Sequence, residues 1–304
     1  ETTPTKNVVE PLISFADLYV KEFREPNWII NGLLAEGLTI LAGKPKSGKS
    51  WMALQIATAA PNGGTIFDSA TLETNPLPSL YYALEDTERR LADRLKMTNT
   101  SGEDLPRNSY ITTKLPRADM GGLARIRMQA EYIGAKLIII DTLARIRPLK
   151  NAAKTSYQDD ADFVAELQTL AHKLEAAILL IHHVRKDKSE DVFDTLSGTL
   201  GLTGSADTIM VLDRKRNQER ATLHVTGRDI EERSLGFEFD GGLWRHIGDG
   251  DLVSTSPEGS DALAIFGGRG AMTIAEFADA AGYKYDSARK KLKRIADRGE
   301  LEFD

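Results

Sequence analysis

Residues 43–51 read Gly43-Lys44-Pro45-Lys46-Ser47-Gly48-Lys49-Ser50-Trp51. Residues 43–50, called the P-loop below, match the phosphate-binding pattern G-x-x-x-x-G-K-[ST] at every position. An apolar run precedes the P-loop and a helical segment follows it, which is the strand–loop–helix context that this pattern requires. We therefore expect residues 43–51 to bind the phosphates of a nucleotide.

The residue types of the P-loop suit a nucleoside triphosphate and its metal ion. Glycines allow backbone N–H groups to approach a phosphate because they have no Cβ, and the N-terminus of the following helix favours an anion. Lys49 is expected to reach the β- and γ-phosphates, and the Ser50 hydroxyl is expected to coordinate Mg²⁺. ATP and Mg²⁺ are therefore the predicted cofactors.

The sequence around the P-loop alternates short apolar runs with longer helical segments. The runs are Leu38–Ala42, Leu80–Leu84, Leu137–Ile140, Ile178–Ile181 and Thr208–Leu212. The helical segments are Trp51–Ala60, Thr87–Lys96, Leu123–Ile133 and Asp160–Leu174. Because the runs are apolar almost throughout, they predict strands that are covered on both faces of a mainly parallel sheet. A three-layer α/β core over residues 37–247 follows from this pattern.

The pattern changes after Asp213, where antiparallel edge strands are predicted. Runs 221–226 and 235–239 precede the turn Asp240-Gly241-Gly242, which leads into 243–247 as a hairpin. At the other end, residues 1–36 are a polar lead-in with a helical stretch near 15–23 and an apolar patch at Trp28-Ile29-Ile30. Residues 248–260 are a Gly/Ser-rich linker, and the small segment 261–304 follows it.

The composition excludes several kinds of site. The chain of 304 residues has no cysteine, which rules out disulfides, thiolate zinc sites and cysteine nucleophiles. Its net charge of −6 argues against a generally basic nucleic-acid coat, although charge can be concentrated on loops or in a pore. No apolar run approaches the roughly 20 residues of a membrane span, so we expect a cytoplasmic protein without a membrane partner. The first residue is Glu1 rather than Met, so we expect part of a longer protein.

Two predicted strands end in a carboxylate that can act on the bound nucleotide. Asp141 ends its strand two strand–helix units after the P-loop, where it can hold the Mg²⁺ shell. Glu85 ends the first strand after the P-loop helix, at the sheet edge that faces the γ-phosphate. We expect Glu85 to orient and polarise the attacking water, with Asp86 as a weaker candidate. The alternative is that Glu85 caps the helix that begins at Thr87.

A further strand ends in a polar pair, in the run Ile178-Leu179-Leu180-Ile181-His182-His183-Val184-Arg185-Lys186. Together with the P-loop, Glu85 and Asp141, this run resembles the RecA/DnaB superfamily, and most closely the hexameric replicative helicases of the plasmid RepA type. The resemblance covers about residues 28–245. It implies a RecA-like fold and a ring-forming, ATP-hydrolysing DNA helicase of a plasmid, phage or mobile-element replication system.

The same resemblance implies partners for the chain. These are single-stranded DNA as the track, further copies of the chain in a homo-oligomer of six subunits, and a replication initiator or primase. An alternative function is that of an ATP-gated DNA-binding protein, recombinase-like or a loader, which hydrolyses ATP but does not unwind. A small-molecule kinase is less favoured because the sequence has no evident arginine-rich lid.

The resemblance also assigns roles to two positions late in the core. In the superfamily a polar side chain at the tip of this strand senses the γ-phosphate. His183 is favoured for this role, and His182 stays open because neighbouring strand residues point to opposite faces. The superfamily also supplies an arginine to the neighbouring subunit's site, and Arg228 matches that position. The alternative is that Arg228 is a surface arginine paired with Asp229 or Glu231.

Two loops are predicted after the strands that end in Asp141 and His183. In the superfamily the corresponding loops line a central pore and grip the backbone of single-stranded DNA. Their cations are Arg145, Arg147, Lys150 and Lys154 in the first loop (145–155) and Arg185, Lys186 and Lys188 in the second loop (185–204). The alternative is that both loops are simply solvated, since acidic residues lie beside the cations of the second loop.

The C-terminal segment resembles a winged helix-turn-helix. A helix over 272–282 would precede a second helix over 286–299, and residues 300–303 could begin a wing. The basic face of the second helix carries Arg289, Lys290 and Lys293. Modules of this kind bind duplex DNA or serve only as protein contacts, and both alternatives stay open.

Overall fold

A mixed β-sheet organises the part of the chain that this computed structural model describes. That part comprises residues 12–99, 104–149, 156–184, 202–215, 218–250 and 272–281, with the single positions 285, 288, 289, 292 and 293. In chain order its strands are β1 (Trp28–Ile30), β2 (Leu34–Ala35), β3 (Gly37–Gly43), β4 (Gly64–Thr65), β5 (Glu73–Thr74), β6 (Ser79–Ala83), β7 (Ser109–Thr112), β8 (Leu137–Asp141), β9 (Ala177–His183), β10 (Thr208–Asp213), β11 (Arg220–Gly227), β12 (Arg233–Asp240) and β13 (Leu243–Asp249).

The main sheet joins a parallel part to an antiparallel edge. Among the described residues its strand order is β13-β12-β11-β10-β3-β9-β8-β6-β7. The six strands from β10 to β7 run parallel to one another, and β11, β12 and β13 pair antiparallel. The predicted mainly parallel sheet with an antiparallel edge is therefore confirmed, and β7 is an additional strand that the sequence did not indicate.

The described part of the chain has eight α-helices. They are α1 (Phe15–Tyr19), α2 (Lys49–Ala59), α3 (Glu88–Thr98), α4 (Gly122–Ile133), α5 (Leu143–Ile146), α6 (Ser156–Leu174), α7 (Leu202–Ser205) and α8 (Ile274–Ala281). Helices α2 and α3 pack on one face of the sheet, and α4, α5 and α6 pack on the other. The four helices predicted in the core appear as α2, α3, α4 and α6, with ends that differ from the predicted ends by four residues or fewer. Helix α2 begins at Lys49 itself, so the last residues of the P-loop already belong to the helix.

The side chains of the central strands divide between two apolar clusters. Leu41, Ile139 and Ile181 belong to the cluster that includes α2, whereas Ile40 and Leu180 belong to the cluster that includes α4 and α6. This division follows from the alternation of side chains along a strand. Both faces of the sheet are therefore buried, which explains why the sequence of these strands is apolar almost throughout.

The hairpin between β12 and β13 ends in the predicted glycine turn. Asp240 pairs with Leu243 across the two strands. The turn residues Gly241 and Gly242 have φ angles of 56° and 92°. Two consecutive positive φ angles are typical of the type I′ turn, whose twist matches that of the strands that it joins.

A small second sheet lies outside the main one and was not predicted as such. Its strand order is β2-β1-β5-β4. Ile29, Ile30 and Leu34 are fully buried and belong to the same apolar cluster as α2. The lead-in assigned to residues 1–36 thus contributes side chains to the core. Helix α1, by contrast, has no buried residue.

The described positions of the C-terminal segment include the first predicted helix. This helix is α8, and its Phe277 is fully buried in a cluster with Ala278, Ala288 and Leu292. The proposed wing at residues 300–303 lies outside the described residues. In the part of the chain that is described, no helix is both long and apolar enough to cross a membrane.

Candidate nucleotide site

The P-loop connects the carboxyl end of β3 to α2 in a backbone path that requires its glycines. Gly48 is the N-cap of α2 with a φ of 102°, a conformation that L-residues with a side chain rarely adopt. A Cβ at Gly43 would lie 2.6 Å from the carbonyl oxygen of Leu212. The spacing of the glycines in the sequence is therefore explained by the left-handed turn and by the close approach of β10.

Lys49 lies inside the P-loop rather than in solvent. Its side chain is 3 % exposed, and Nζ donates hydrogen bonds to the carbonyl oxygens of Gly43 (2.8 Å) and Lys44 (2.9 Å). Burial lowers the pKa of Lys49 to about 8, although the charges of Asp141 and Glu85 oppose this change. The residue predicted to meet the phosphates is therefore a desolvated cation close to both predicted acidic groups.

Asp141 ends β8 beside α2, where it carries one unpaired oxygen. Tyr81 donates a hydrogen bond of 3.0 Å to Asp141 Oδ2, and Oδ1 is buried without a hydrogen-bond partner among the described groups. Burial raises the pKa of Asp141, whereas the Ser50 hydroxyl and Tyr81 act to lower it. A buried carboxylate oxygen beside a hydroxyl offers the hard oxygen ligands that Mg²⁺ prefers, so these residues fit the predicted metal ion.

Glu85 lies at the same sheet edge and has contacts on both of its oxygens. Thr142 Oγ1 donates a hydrogen bond of 3.1 Å to Glu85 Oε1, and Arg145 Nε lies 3.7 Å from the same oxygen. His183 Nε2 lies 3.5 Å from Glu85 Oε2. The side chain is 40 % exposed, so it combines fixed neighbours with access to solvent.

The neighbouring acidic residue is engaged elsewhere. Asp86 forms ion pairs with Arg90, at 3.1 Å, and with Arg94, both on α3. The cap of α3 is Thr87, whose side-chain oxygen accepts a hydrogen bond from the backbone N–H of Arg90. Neither Glu85 nor Asp86 is therefore needed as the cap, and of the two only Glu85 contacts the histidine at the tip of β9.

The two histidines at the end of β9 lie on opposite faces of the sheet. Along β9, Leu179 and Ile181 belong to the cluster on the α2 face, and alternation places His183 on that face. His182 continues the series of Ile178 and Leu180, which belong to the cluster on the α6 face. Burial lowers the pKa of His182 to about 4, and the positive charge of Arg147 contributes to this decrease. The geometry thus favours His183 over His182 near the P-loop, while its role as a sensor stays a prediction.

Arg228 lies near the amino ends of the parallel strands, whereas the P-loop lies at their carboxyl ends. Gly227 pairs with Thr208, which pairs with Thr39 near the start of β3, whereas the P-loop leaves the other end of β3. Thr39 and Gly43 are four residues apart in β3, which is about 13 Å along the strand, and Arg228 follows β11, which lies two strands away from β3. Arg228 therefore cannot reach the P-loop of its own chain.

The partners of Arg228 differ from those expected for a surface arginine. Nη1 lies 3.4 Å from Asp207 Oδ1, and Nη2 donates a hydrogen bond of 3.1 Å to the carbonyl oxygen of Gly204. Among the described residues, these contacts of its side chain involve neither Asp229 nor Glu231. The side chain is 57 % exposed, so a second chain could contact it.

Four of the cations predicted to bind DNA belong to the described part of the chain. Arg147 Nε lies 2.8 Å from Asp160 Oδ1, and the Asp160 side chain is 3 % exposed, so a DNA contact would compete with an internal ion pair. The first predicted loop begins within a helix, since Arg145 belongs to α5. Arg289 and Lys293 are exposed. The predicted DNA-binding residues outside the described part of the chain are Lys150, Lys154, Arg185, Lys186, Lys188 and Lys290.

Two contacts of the site were not predicted, although the sequence carries a signal for one of them. Tyr81 is buried in an apolar strand, and a buried tyrosine usually has a partner for its hydroxyl. Ala83 pairs with Asp141, so Tyr81 is a diagonal neighbour of that carboxylate. Thr142 directly follows Asp141, and its contact with Glu85 depends on the order of the strands, which the sequence does not specify.

The chain is similar to known proteins over much of its length. The model of the AAA domain family matches residues 5–189. The DNA repair protein RadA of Streptococcus pyogenes (strain MGAS10394) is 25 % identical over 198 residues, which are 64 % of this chain and 37 % of RadA. RadA of Streptococcus pneumoniae is also 25 % identical over 198 residues, which are 64 % of this chain and 40 % of RadA. The matched region thus spans about two fifths of the length of these curated relatives.

Two solved structures are similar to this chain in fold. One, described as an ATPase domain, has a TM-score of 0.54 and 17 % identity, and the match covers 70 % of this chain and 85 % of that one. A DnaB-like replicative helicase, from a study of its interactions with primase, has a TM-score of 0.53 and 15 % identity. That match covers 69 % of this chain and 57 % of the helicase chain. At these identities the likeness establishes the fold.

Proposed function

The chain belongs to the AAA domain family, as a P-loop ATPase of the RecA/DnaB superfamily, and from that premise we propose that it is a ring-forming DNA helicase. In this proposal the chain hydrolyses ATP to move along single-stranded DNA. The fold and the P-loop carry the ATPase part of the proposal. The proposed response to DNA depends on the contacts of Glu85 with Arg145 and His183.

The observation that carries the proposal is the pair of contacts on the Glu85 carboxylate. Arg145, at the start of the first predicted DNA loop, lies 3.7 Å from one oxygen. His183, two residues before the second loop, lies 3.5 Å from the other. A DNA strand that displaces either loop would therefore change the position or charge environment of Glu85. This arrangement supports hydrolysis that responds to bound DNA.

The chemistry proposed for the site uses five side chains. The P-loop amides and Lys49 hold the phosphates of ATP. Glu85 orients a water molecule and accepts its proton as the water oxygen bonds to the γ-phosphorus, and the bond to the β-phosphate oxygen breaks to release ADP. A Mg²⁺ ion held by Ser50 and Asp141 supplies neutralising charge for the phosphates. His183 registers whether the γ-phosphate is present and relays this state to the second loop.

The position of Arg228 supports the proposed ring. It lies at the end of the strands opposite its own P-loop and is 57 % exposed, so any catalytic role of Arg228 would be at the site of another subunit. An arginine supplied in this way raises the rate by about 10³–10⁵, which corresponds to about 4–7 kcal/mol of barrier. Each site would then be complete only between two subunits, and six subunits are proposed from the resemblance to RepA-type helicases.

The relatives support a DNA substrate for the proposed activity. The curated relatives are named DNA repair proteins, and one structural relative is described as a replicative helicase that interacts with primase. We therefore propose a plasmid, phage or mobile-element replication system in the cytoplasm as the setting. A replication initiator or a primase is the proposed partner.

The proposed domains are a RecA-like core over residues 37–247, to which the buried strands β1 and β2 and the last residues of β13 also belong, a linker within 248–260 and a winged-helix-like segment over 261–304. The buried cluster of Phe277, Ala278, Ala288 and Leu292 supports packing between the two helices of the last segment. Arg289 and Lys293 are exposed and available to a partner. Duplex DNA and another protein are both candidate partners for this segment.

A second candidate function is an ATP-gated DNA-binding protein that does not unwind. The match to RadA, a protein named for DNA repair rather than for replication, favours this alternative. Both functions would use the same ATP site. A forked DNA duplex with a 5′ or 3′ single-stranded tail, incubated with protein and ATP, distinguishes them. Strand separation that requires ATP and an intact Glu85 supports the helicase, and DNA-stimulated hydrolysis without strand separation supports the alternative.

A further inference from the structure

The hairpin of β12 and β13 contributes a tryptophan to the underside of the P-loop. Trp244, the second residue of β13, is fully buried. Its indole Nε1 donates a hydrogen bond of 3.0 Å to the carbonyl oxygen of Gly48. A Cβ at Gly48 would lie 2.5 Å from Trp244 Cζ2, so the ring packs directly on this glycine. The antiparallel edge of the sheet therefore touches the nucleotide site.

Trp244 is held in this position by the same helix that its ring supports. The backbone N–H of Trp244 donates to Gln55 Oε1 at 2.8 Å, and Gln55 Nε2 donates to the carbonyl oxygen of Trp244 at 3.0 Å. Gln55 belongs to α2, whose N-cap is Gly48. Both polar groups of one backbone residue are thus paired with one side chain, which fixes β13 against α2.

The aromatic surroundings restrict the ring as well. Phe239 lies 4.9 Å and Phe237 lies 6.2 Å from Trp244, measured between ring centroids. The guanidinium carbon of Arg214 lies 5.3 Å from the centroid of the indole. Rings at these separations attract one another, and a cation over the indole face adds to the attraction. These contacts restrict the orientation of the indole and thereby the direction in which Nε1 points.

The contact with Gly48 determines how the P-loop presents a backbone amide. The Gly48 carbonyl oxygen accepts from Trp51 N (3.1 Å) and Met52 N (3.0 Å) in addition to the indole. A trans peptide is planar, with its C=O and N–H on opposite sides. Three donors on the Gly48 oxygen consequently fix the direction of the Lys49 N–H. That N–H belongs to the first turn of α2, where no intrahelical acceptor exists and an anion is favoured.

We propose that Trp244 is a positioning residue of the nucleotide site, which orients the peptide between Gly48 and Lys49 so that its N–H meets the β-phosphate. The residue acts through the P-loop backbone and does not touch the nucleotide in this proposal. The inference rests on nucleotide binding by the P-loop and is independent of any action on DNA.

The experiment replaces the hydrogen-bond donor and keeps an aromatic ring. Trp244→Phe loses Nε1, and the loss of one hydrogen bond weakens binding roughly fivefold. We expect this decrease in calorimetric titrations with MgADP and with MgATP, and a much smaller decrease with AMP, which has no β-phosphate. In steady-state hydrolysis the KM for ATP should rise while kcat stays close to that of the wild type, as expected when ground state and transition state lose the same interaction.

A matched control separates positioning from general stability. Phe67→Leu alters the same aromatic cluster, because Phe67 is buried and its ring lies 5.2 Å from that of Phe237, but it removes neither a ring described above beside Trp244 nor a donor to Gly48. Phe67→Leu should lower the melting temperature and leave the affinity for MgADP unchanged at temperatures where the variant is folded. Equal affinities of Trp244→Phe and the wild type for MgADP would overturn the proposal.

A second variant keeps the proposal testable if Trp244→Phe does not fold. Gln55→Leu keeps the indole side chain but removes both hydrogen bonds that hold the Trp244 backbone against α2, so the indole loses its fixed position below Gly48. We expect a folded protein with weakened affinity for MgADP and unchanged affinity for AMP. Wild-type affinity for MgADP in this variant would contradict the proposal. Wild-type protein that binds no MgADP at all would instead refute the nucleotide site itself.

Discussion

His183 Nε2 lies 3.5 Å from Glu85 Oε2, across the end of the intervening strand β8. The contact joins the proposed sensor of the γ-phosphate to the proposed base for the attacking water. Thr142, which directly follows β8, donates to the other oxygen of Glu85 at 3.1 Å. The ends of three adjacent parallel strands therefore meet at one carboxylate, beside the P-loop.

Replacement of Glu85 should separate binding from turnover. Glu85→Gln keeps the shape of the side chain but cannot accept a proton, and a general base contributes about 10²–10⁴-fold to the rate. We expect a decrease of this size in kcat with little change in the affinity for MgATP. The neighbouring variant Asp86→Asn is the control, because Asp86 is paired with arginines of α3. Normal turnover in Glu85→Gln would refute the role of Glu85.

The two adjacent histidines should respond differently to substitution. His183→Ala removes the group that contacts Glu85, so the stimulation of hydrolysis by single-stranded DNA should fall roughly tenfold, equivalent to about 1.4 kcal/mol of barrier. His182→Ala, on the opposite face, should retain the stimulation. The measurement is the rate of ATP hydrolysis with and without a DNA oligonucleotide. An equal decrease in DNA stimulation in both variants would contradict a specific role for His183.

Arg228 should act on a neighbouring subunit. Arg228→Ala is expected to lower turnover by about 10³–10⁵, and Arg228→Lys, which keeps the charge but lacks the planar guanidinium, is the matched control. Mixtures of Arg228→Ala with Glu85→Gln should regain activity, because an intact site forms where one variant supplies Glu85 and the other supplies Arg228. A mixing series without recovery would assign Arg228 to a structural role through Asp207 and Gly204.

His182 should make the folded state sensitive to acid. Burial lowers its pKa from 6.5 to about 4, so between these values the unfolded chain binds more protons than the folded one. The contribution of neutral His182 to the free energy of unfolding is therefore fully present above about pH 6.5, and it is lost as the pH falls towards 4. The contribution is on the order of 3 kcal/mol at most. Urea unfolding at several pH values should show less pH dependence for His182→Gln than for the wild type or for His172→Gln, an exposed control. An unchanged dependence in His182→Gln would contradict this assignment.

The parallel core could be predicted because its signals are local. The strand that ends in Asp141 is apolar at every buried position before that carboxylate, and the P-loop glycines are required by their own backbone angles and close contacts. Alternation along β9 also determines which histidine faces the P-loop once the face of Ile181 is known. That face is set by the packing of α2, which the sequence alone does not specify.

The remaining features depend on contacts between distant parts of the chain. The small sheet uses strands of two or three residues, which are too short to show a period of two. The ion pair of Arg147 with Asp160 and the contact of Trp244 with Gly48 both join segments that the order of elements brings together. The sequence therefore predicts Arg147 as an unpaired loop cation and residues 243–247 only as a hairpin strand, without the contact that Trp244 makes.

The central claim is that a nucleoside triphosphate lies in the P-loop with its metal between Ser50 and Asp141. Calorimetric titration with a non-hydrolysable ATP analogue, with and without Mg²⁺, tests it directly in the wild type and in Asp141→Asn. We predict binding that Mg²⁺ strengthens in the wild type, and loss of this Mg²⁺ dependence in Asp141→Asn. Equal affinity with and without Mg²⁺ in the wild type, or no binding of the analogue, would contradict the claim.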